Sequence, residues 1–365
     1  MIETALGRRI EKVGVVVGGW SDETQLASSP WIVDGLLKLG LQVDAYDLRS
    51  PQLAARIRRS RPDVIFPTCL GAYGEDGKLQ GFLETAFPGI PYVGSGVGAS
   101  AIGMNKLLSK LMFRALGLHT ADCLLAQPGN WQSLSFRQAA LRLGRPIVLK
   151  PALSGASLGL AIVDDEAAFR EHLERSVRRY GDVLVERHLA STEAKTEYSV
   201  GIIEDERDTV VLPICQVRAD AAHGARRNAR GPAWQIPAPL PEPAAERLRQ
   251  LALTVHRSLG CHGLLRVDLI LARDGHGEEQ PFVLEMDTLP GLIPTLAFPR
   301  MCAAHGLDFP DMLAMLLRGA FRPRPMEIPR RGADLPELPP ELSAILPSLP
   351  RNLRWTRRPL RRARS

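Results

Sequence analysis

Arg266-Val-Asp268-Leu-Ile-Leu271 and Phe282-Val-Leu-Glu285-Met-Asp287-Thr-Leu-Pro-Gly291 are the two runs that decide how this chain folds. Both have the alternation of strands, in which successive residues point to opposite faces. Arg266 and Asp268 then share a face of the first strand, and Glu285 and Asp287 share a face of the second. The segment 273–281 contains Asp274, Gly275 and Gly277, the composition of a hairpin connection. Paired, the strands gather three carboxylates and one guanidinium at the centre of an otherwise apolar sheet. Carboxylates held away from water repel one another unless a cation neutralises them. Hard oxygen ligands suit Mg²⁺ or Mn²⁺, and a neighbouring arginine suits a phosphoryl group. Two ordinary salt-bridged strands would show the same pattern, so the rest of the chain must separate the two readings.

At 365 residues the chain exceeds the usual limit of one hydrophobic core, and two or three packed units are expected. An apolar fraction of 45% and a charged fraction of 24% are those of a soluble globular protein. Met1-Ile-Glu-Thr-Ala-Leu-Gly-Arg-Arg9 lacks the apolar core of a secretion signal, and no stretch is long and apolar enough to span a bilayer. Cys69, Cys123, Cys215, Cys261 and Cys302 are scattered, without CxxC spacing, which fits a reducing cytoplasm and no zinc site. The last fifteen residues hold Arg351, Arg354, Arg357, Arg358, Arg361, Arg362 and Arg364 and no acid, whereas the whole chain carries only +6. The body is therefore nearly neutral, and the basic balance says nothing about its substrate. Unless it is simply a solvated terminus, the tail suits nucleic acid, anionic lipid or an acidic partner.

Working outward, Val13-Gly-Val-Val-Val-Gly-Gly19 reads as a buried strand ending in a glycine turn, followed by a helix over Pro30–Leu39. Strands over Leu41–Tyr46 and Val64–Pro67 continue a βαβ beginning. Met104–Leu116 reads as one helix capped by Gly117, and Pro146–Lys150 and Leu160–Val163 as strands. A helix over Asp165–Arg179 starts at an aspartate cap. Val183–Glu186, Tyr198–Ile203 and Val210–Val217 read as strands, and Ala221–Pro232 as a mobile loop. Helices over Ala244–Leu259 and Asp308–Leu317 flank the acidic hairpin. From Phe321 onward proline and arginine dominate, and the folded body is expected to end there.

Lys106 lies in Met104-Asn-Lys-Leu-Leu-Ser-Lys110, and Lys150 ends the strand Ile147-Val-Leu-Lys150. A lysine at the end of a buried strand requires an anion, and a nucleotide phosphate would serve. The loop Ser154-Gly-Ala-Ser-Leu-Gly159 can offer backbone amides to phosphate at close approach. It is not a Walker loop: Gly77-Lys78 is followed by Leu79 and has no upstream glycine in place. Gly155-Ala-Ser157-Leu-Gly159 also fits the G-x-S-x-G elbow of serine hydrolases, with Asp268 and His305 in suitable chain order. An elbow needs a helix leaving the serine, yet Leu160-Ala-Ile-Val163 leaves as a strand. Val183-Leu-Val-Glu186-Arg-His-Leu189 can offer a backbone edge to adenine, and Glu197 can accept from ribose hydroxyls.

In order and spacing these blocks resemble the ATP-grasp enzymes, and among them the D-alanine–D-alanine ligases. The matching segments are Val15–Gly19, Gly74-Glu-Asp-Gly-Lys-Leu-Gln-Gly81, Pro91-Tyr-Val-Gly-Ser-Gly96, Lys106 with Ser109-Lys110, Lys150-Pro151 with Gly155–Gly159, Leu259-Gly-Cys261 and the acidic hairpin. The resemblance covers about Val13 to Leu317. It implies an α/β (α+β) architecture of the ATP-grasp type: a Rossmann-like domain over 1–103, two α+β subdomains over 104–188 and 189–320, and a disordered tail over 321–365. It implies a cytoplasmic homodimer acting in cell-wall peptidoglycan or specialised metabolism. Lys106 and Lys150 would hold ATP phosphates under the Ser157 loop, Glu186 and the Leu189 backbone would contact adenine, and Glu197 ribose. Asp268, Glu285 and Asp287 would bind two Mg²⁺ ions, or Mn²⁺, with Glu285 bridging. Arg266 and the Gly291 amide would stabilise the transferring phosphoryl group and the tetrahedral intermediate.

The departures from the family cluster where it handles amino acids. Asp287 stands where asparagine is usual. Gln25, Ala156 and Arg227 replace a glutamate, a serine and a tyrosine that form one group in the family, and Leu296 replaces a serine that binds the second substrate's carboxylate. Arg226 keeps the charge of the usual lysine, and Glu75 lies in the substrate-binding block. The function implied is an ATP-dependent carboxylate–amine ligase acting through an acyl phosphate, with a substrate other than D-alanine at one subsite or both. The rival is a nucleotide-binding scaffold that has lost catalysis.

Overall fold

The computed structural model of the chain describes residues 2–324 apart from 6, 20–27, 156–157, 190–196, 218–233 and 274–277. An antiparallel pair, β1 (Ile2–Glu3) and β2 (Arg9–Ile10), opens it. The valine run forms β3 (Lys12–Val17), buried from Val13 to Val16. α1 (Ser29–Lys38), β4 (Gln42–Asp47), α2 (Leu53–Ser60) and β5 (Val64–Pro67) follow, and β3 lies between β4 and β5, parallel to both. Helical crossovers between parallel strands make this the expected βαβ unit. α3 (Lys78–Ala86) and α4 (Val97–Met104) complete the region.

α5 (Lys106–Ala115) starts just after α4 ends, so the helix expected over 104–116 is α5, beginning two residues later, and Met104 closes α4. Asn105 is extended, with φ −97° and ψ 101°, and its side chain accepts from the amides of Leu107 and Leu108 at 3.1 Å. An asparagine cap satisfies the free amides of a first turn, which breaks one helix and begins the next. Lys106 is thereby fixed in the opening turn of α5.

β6 (Cys123–Ala126), α6 (Phe136–Leu143), β7 (Ile147–Pro151), β8 (Ala161–Val163), α7 (Glu166–Tyr180) and β9 (Val183–Arg187) form the middle region. Its four strands are antiparallel in the order β6-β9-β7-β8. Asp165 caps α7 by accepting from the Ala168 amide at 2.8 Å, as the sequence suggests. Ile147, Leu149, Val183 and Val185 pack with Phe136, Phe169 and Leu173 of the two helices. Alternation then sends Lys150 and Glu186 to the opposite face.

The third region comprises β10 (Glu197–Glu204), β11 (Thr209–Val211), β12 (Cys215–Val217), β13 (Trp234–Gln235), α8 (Glu242–Ser258), β14 (Leu264–Arg273), β15 (Glu279–Asp287), α9 (Ala297–Ala304) and α10 (Phe309–Gly319). Its sheet runs β13-β12-β10-β14-β15, with β11 also on β10. The strand expected over 210–217 is split into β11 and β12, which pair successive parts of β10 on either side of Pro213. A proline has no amide for the ladder. Leu265, Val267, Leu269 and Leu271 of β14 are buried with Leu248, Ala252 and Val255 of α8.

The body does not end at Phe321. Arg322 Nη1 lies 3.5 Å from Glu204 Oε1, and the Arg324 guanidinium sits 3.7 Å above the Tyr92 ring. The loop expected over 221–232 and the arginine tail beyond 324 lie outside the described residues. Among the described residues no helix is long and apolar enough to cross a membrane.

Candidate active site

β14 and β15 pair antiparallel with Arg266 opposite Asp287 and Asp268 opposite Glu285. The four anticipated side chains therefore lie side by side on one face of the sheet. Between Asp268 and Leu269 the register slips, and Leu269 pairs with Val283. This bulge changes the parity of β15, so that Val283 and Met286 both reach the core under α8 while Glu285 and Asp287 stay on the site face. Strict alternation from Phe282 would not have done so.

Arg266 is the hub of the face. Its Nε lies 2.9 Å from Asp268 Oδ1, its Nη2 donates to Asp268 Oδ2 at 2.9 Å, and its Nη1 lies 3.2 Å from Asp287 Oδ2. Burial works against the guanidinium charge, but Asp268 and Asp287 outweigh it and raise the Arg266 pKa. Ser199, on β10 opposite Asp268, donates to Asp268 Oδ1 at 2.6 Å. Sequence reasoning missed Ser199, although its place two residues after Glu197 puts both on one strand face. Burial raises the Asp287 pKa despite Arg266. Burial also opposes the charge on Glu285, yet Lys106, Lys150 and Arg266 hold its pKa below the usual range.

Among the described residues no three acidic, histidine or cysteine side chains converge on one ligating point. Arg266 stands between Asp268 and Asp287 instead. The donor set still fits a hard divalent cation, being oxygen throughout and crowded. Burial, then Asp268 and Glu285, push the Glu197 carboxyl up to about 7. A cation among these groups would relieve that repulsion.

Of the two sequence-predicted lysines, Lys106 meets this face and Lys150 lies near enough for Glu285 to act on it. Lys106 Nζ lies 3.6 Å from Glu285 Oε2 and also donates to the Ser154 carbonyl. A lysine in the first turn of a helix opposes the macrodipole, so its position is paid for by an anion outside the helix. Lys150 Nζ lies 2.9 Å from Glu186 Oε2, and burial opposes its charge while Glu186 and Glu285 raise its pKa. Glu186 is buried with its other oxygen 3.0 Å from Lys110 Nζ, an ion pair rather than an aligned hydrogen bond. Lys110 was not among the expected site residues. Its signal is the four-residue spacing from Lys106 on one helix face.

The remaining candidates are more dispersed. Leu189 packs against Ile270, Ala272 and Phe282, on the site side of the hairpin. Glu75 accepts from the Gly71 amide within its own loop. Leu296 precedes α9, and a Cβ built on Gly291 would come 2.6 Å from Leu296 Cδ1, so the leucine covers that glycine. Gln25, Ser157, Ala156, Arg226 and Arg227 lie outside the described residues. His305 is exposed after α9, and β8 leaves the glycine-rich loop as a strand, so the hydrolase elbow has no helix to follow it.

A family profile described as "D-ala D-ala ligase C-terminus" matches residues 112–318. A D-alanine–D-alanine ligase of Anaeromyxobacter sp. (strain Fw109-5) is 38% identical over 312 residues, covering 85% of this chain and 97% of that protein. The chain belongs to the D-alanine–D-alanine ligase family. A relative of the same name from Nitrosomonas europaea is 33% identical over 317 residues, with 97% of its length covered. The crystal structure of the Bacillus anthracis D-alanine–D-alanine ligase in complex with ATP superposes with a TM-score of 0.70 at 27% identity, covering 85% of this chain and 97% of that one. The fold is thus ATP-grasp, as the order of motifs implied, with the acidic hairpin inside the segment the family profile matches.

Proposed function

We propose that the chain is an ATP-dependent carboxylate–amine ligase whose substrates are not D-alanine at both subsites. The observation that carries the enzyme reading is the connected group Ser199–Asp268–Arg266–Asp287, beside Glu285 and Lys106. That group, set beside Glu285 and Lys106, supplies the preorganised charge that phosphoryl transfer needs and that nucleotide binding alone does not require. In the proposed reaction a substrate carboxylate oxygen attacks the γ-phosphorus of ATP, the bond to the β–γ bridging oxygen breaks, and ADP leaves. The amine nitrogen of the second substrate then attacks the acyl carbon, the bond to phosphate breaks, and the nitrogen sheds a proton.

Arg266 would bind the phosphoryl oxygens on which charge spreads, and Lys106 and Lys150 would orient the chain of phosphates. Asp268, Glu285 and Asp287 would hold Mg²⁺, two ions in the proposed arrangement, which supplies further neutralisation of those oxygens. The altered-substrate part rests on Leu296, whose apolar side chain lies over Gly291 where the family has a serine.

The test is ADP release over a panel of D- and L-amino acids with Mg²⁺, against Asp268→Ala. Turnover that disappears in the control supports the ligase, whereas nucleotide binding with no turnover on any pair supports the scaffold. Efficient release with D-alanine alone, and with no other amino acid, would remove the altered-substrate part.

A further inference from the structure

Glu186 is opposed by two ammonium groups that differ in what else they touch. Lys150 Nζ, 2.9 Å from Oε2, is near enough to the hairpin for Glu285 to help hold its proton. Lys110 Nζ, 3.0 Å from Oε1, looks the other way, to Thr120 Oγ1 at 3.0 Å and the Ala121 carbonyl at 3.1 Å. Thr120 spends its own hydroxyl proton on the Val283 carbonyl at 2.8 Å, so towards Lys110 it accepts. All three neighbours of the Lys110 nitrogen are therefore acceptors. A neutral amine would turn a lone pair on one of them, so the set suits the ammonium, although burial lowers the Lys110 pKa against the pull of Glu186.

The charge balance has a consequence. Lys110, Lys150 and Glu186 together carry one positive charge, on side chains that are almost fully buried. Without Lys110, Lys150 and Glu186 would form a neutral pair facing the site. The same ammonium also reaches β15 through Thr120 and Val283, two residues before Glu285.

We infer that Lys110 is a positioning residue for nucleotide binding: it offsets Glu186 from behind, so that Lys110, Lys150 and Glu186 together present a net positive charge, through Lys150, to a triphosphate. The inference rests on the ATP-site reading above. It predicts an effect on phosphates that is absent for the nucleoside. Titration calorimetry of the full chain with Mg²⁺ and a non-hydrolysable ATP analogue, and separately with adenosine, gives the ratio of the two affinities. A unit charge removed several ångströms from a phosphate in a partly desolvated site should lower that ratio roughly ten-fold in Lys110→Met.

Glu186→Gln, which adds net positive charge, should raise the ratio, and Lys110→Gln/Glu186→Gln should return it to near the wild-type value. The last pair reads the Lys110 charge even if Lys110→Met fails to fold. Equal weakening of analogue and adenosine in Lys110→Met, or equal ratios in Glu186→Gln and the double variant, would overturn the inference. A wild-type chain that does not bind the analogue at all would overturn the ATP-site reading and the inference with it, an outcome separate from variants that bind with an unchanged ratio.

Discussion

Arg266 stands directly across the β14–β15 ladder from Asp287, with Nη1 3.2 Å from Oδ2, while its Nε and Nη2 hold Asp268 on the same strand. One guanidinium thus spaces two carboxylates on a single sheet face, and in the proposed reaction its charge would meet the phosphoryl group. Arg266→Met should reduce ADP release at least roughly a hundred-fold, the scale of losing one preorganised stabiliser of transition-state charge. Binding of a non-hydrolysable ATP analogue should fall far less, because Lys106 and Lys150 remain. A variant that releases ADP at close to the wild-type rate would remove Arg266 from the reaction.

Asp287 tests the metal reading. Its carboxyl is raised by burial, so the protein pays to keep it charged, and a divalent cation would repay that cost. Asp287→Asn keeps an oxygen ligand but loses one charge. The Mg²⁺ concentration for half-maximal activity should rise by roughly three- to ten-fold, because affinity for hard cations follows ligand charge. Titrating Mg²⁺ against ADP release reads this directly, and an unchanged midpoint would mean Asp287 does not serve the ion.

Much of the site was legible because strands and caps are local. Period-two alternation put Arg266 with Asp268 and Glu285 with Asp287, and the ladder joined the two pairs. The start of α5 was equally local: the Asn105 side chain caps it, so Met104 belongs to the helix before. What could not be read were relations set by packing between distant segments. The bulge at Asp268 is visible only once β15 must bury both Val283 and Met286. Lys110 and Ser199 join the site through Glu186 and Asp268, 76 and 69 residues away in the chain. The end of the body, expected from Phe321 onward, lies later for the same reason, since Arg322 and Arg324 find their partners in Glu204 and Tyr92.

Glu204 and His262 predict acid lability away from the active site. Burial works to raise Glu204, but His256, the Gly263 amide at 2.9 Å and the Thr209 hydroxyl at 2.9 Å bring it down to about 2 from the ordinary 4.5. Burial, then Arg324, bring His262 down to about 4 from 6.5. Both folded-state values are depressed, so the unfolded chain takes up protons first. The His262 contribution is present above pH 6.5 and lost as pH falls to about 4; that of Glu204 is present above 4.5 and lost towards about 2. Each amounts to on the order of 3 kcal/mol. Urea unfolding across this range should show stability falling in two overlapping stages. Glu204→Gln should flatten the lower stage and leave the upper, and a variant whose stability still falls as steeply below pH 4.5 would contradict the assignment.

Leu296 carries the question of what the ligase joins. Its Cδ1 lies so close over Gly291 that a Cβ there would come within 2.6 Å, and it is only partly buried, so the side chain faces the turn rather than the core. A leucine in that place offers no donor to a carboxylate and occupies volume that a serine would leave open. Leu296→Ser should therefore improve the use of amine substrates that carry a free α-carboxylate. A hydrogen bond to a charged group is worth about 1.5–3 kcal/mol, so KM for such amines should fall by roughly ten-fold or more. The phosphorylation half-reaction does not involve this contact and should keep its rate. The amino-acid panel, run on wild type and variant with ADP release and KM measured for each amine, separates the two effects. If Leu296→Ser leaves the order of preferred amines unchanged, the leucine covers Gly291 for packing alone and selectivity must lie elsewhere in the site.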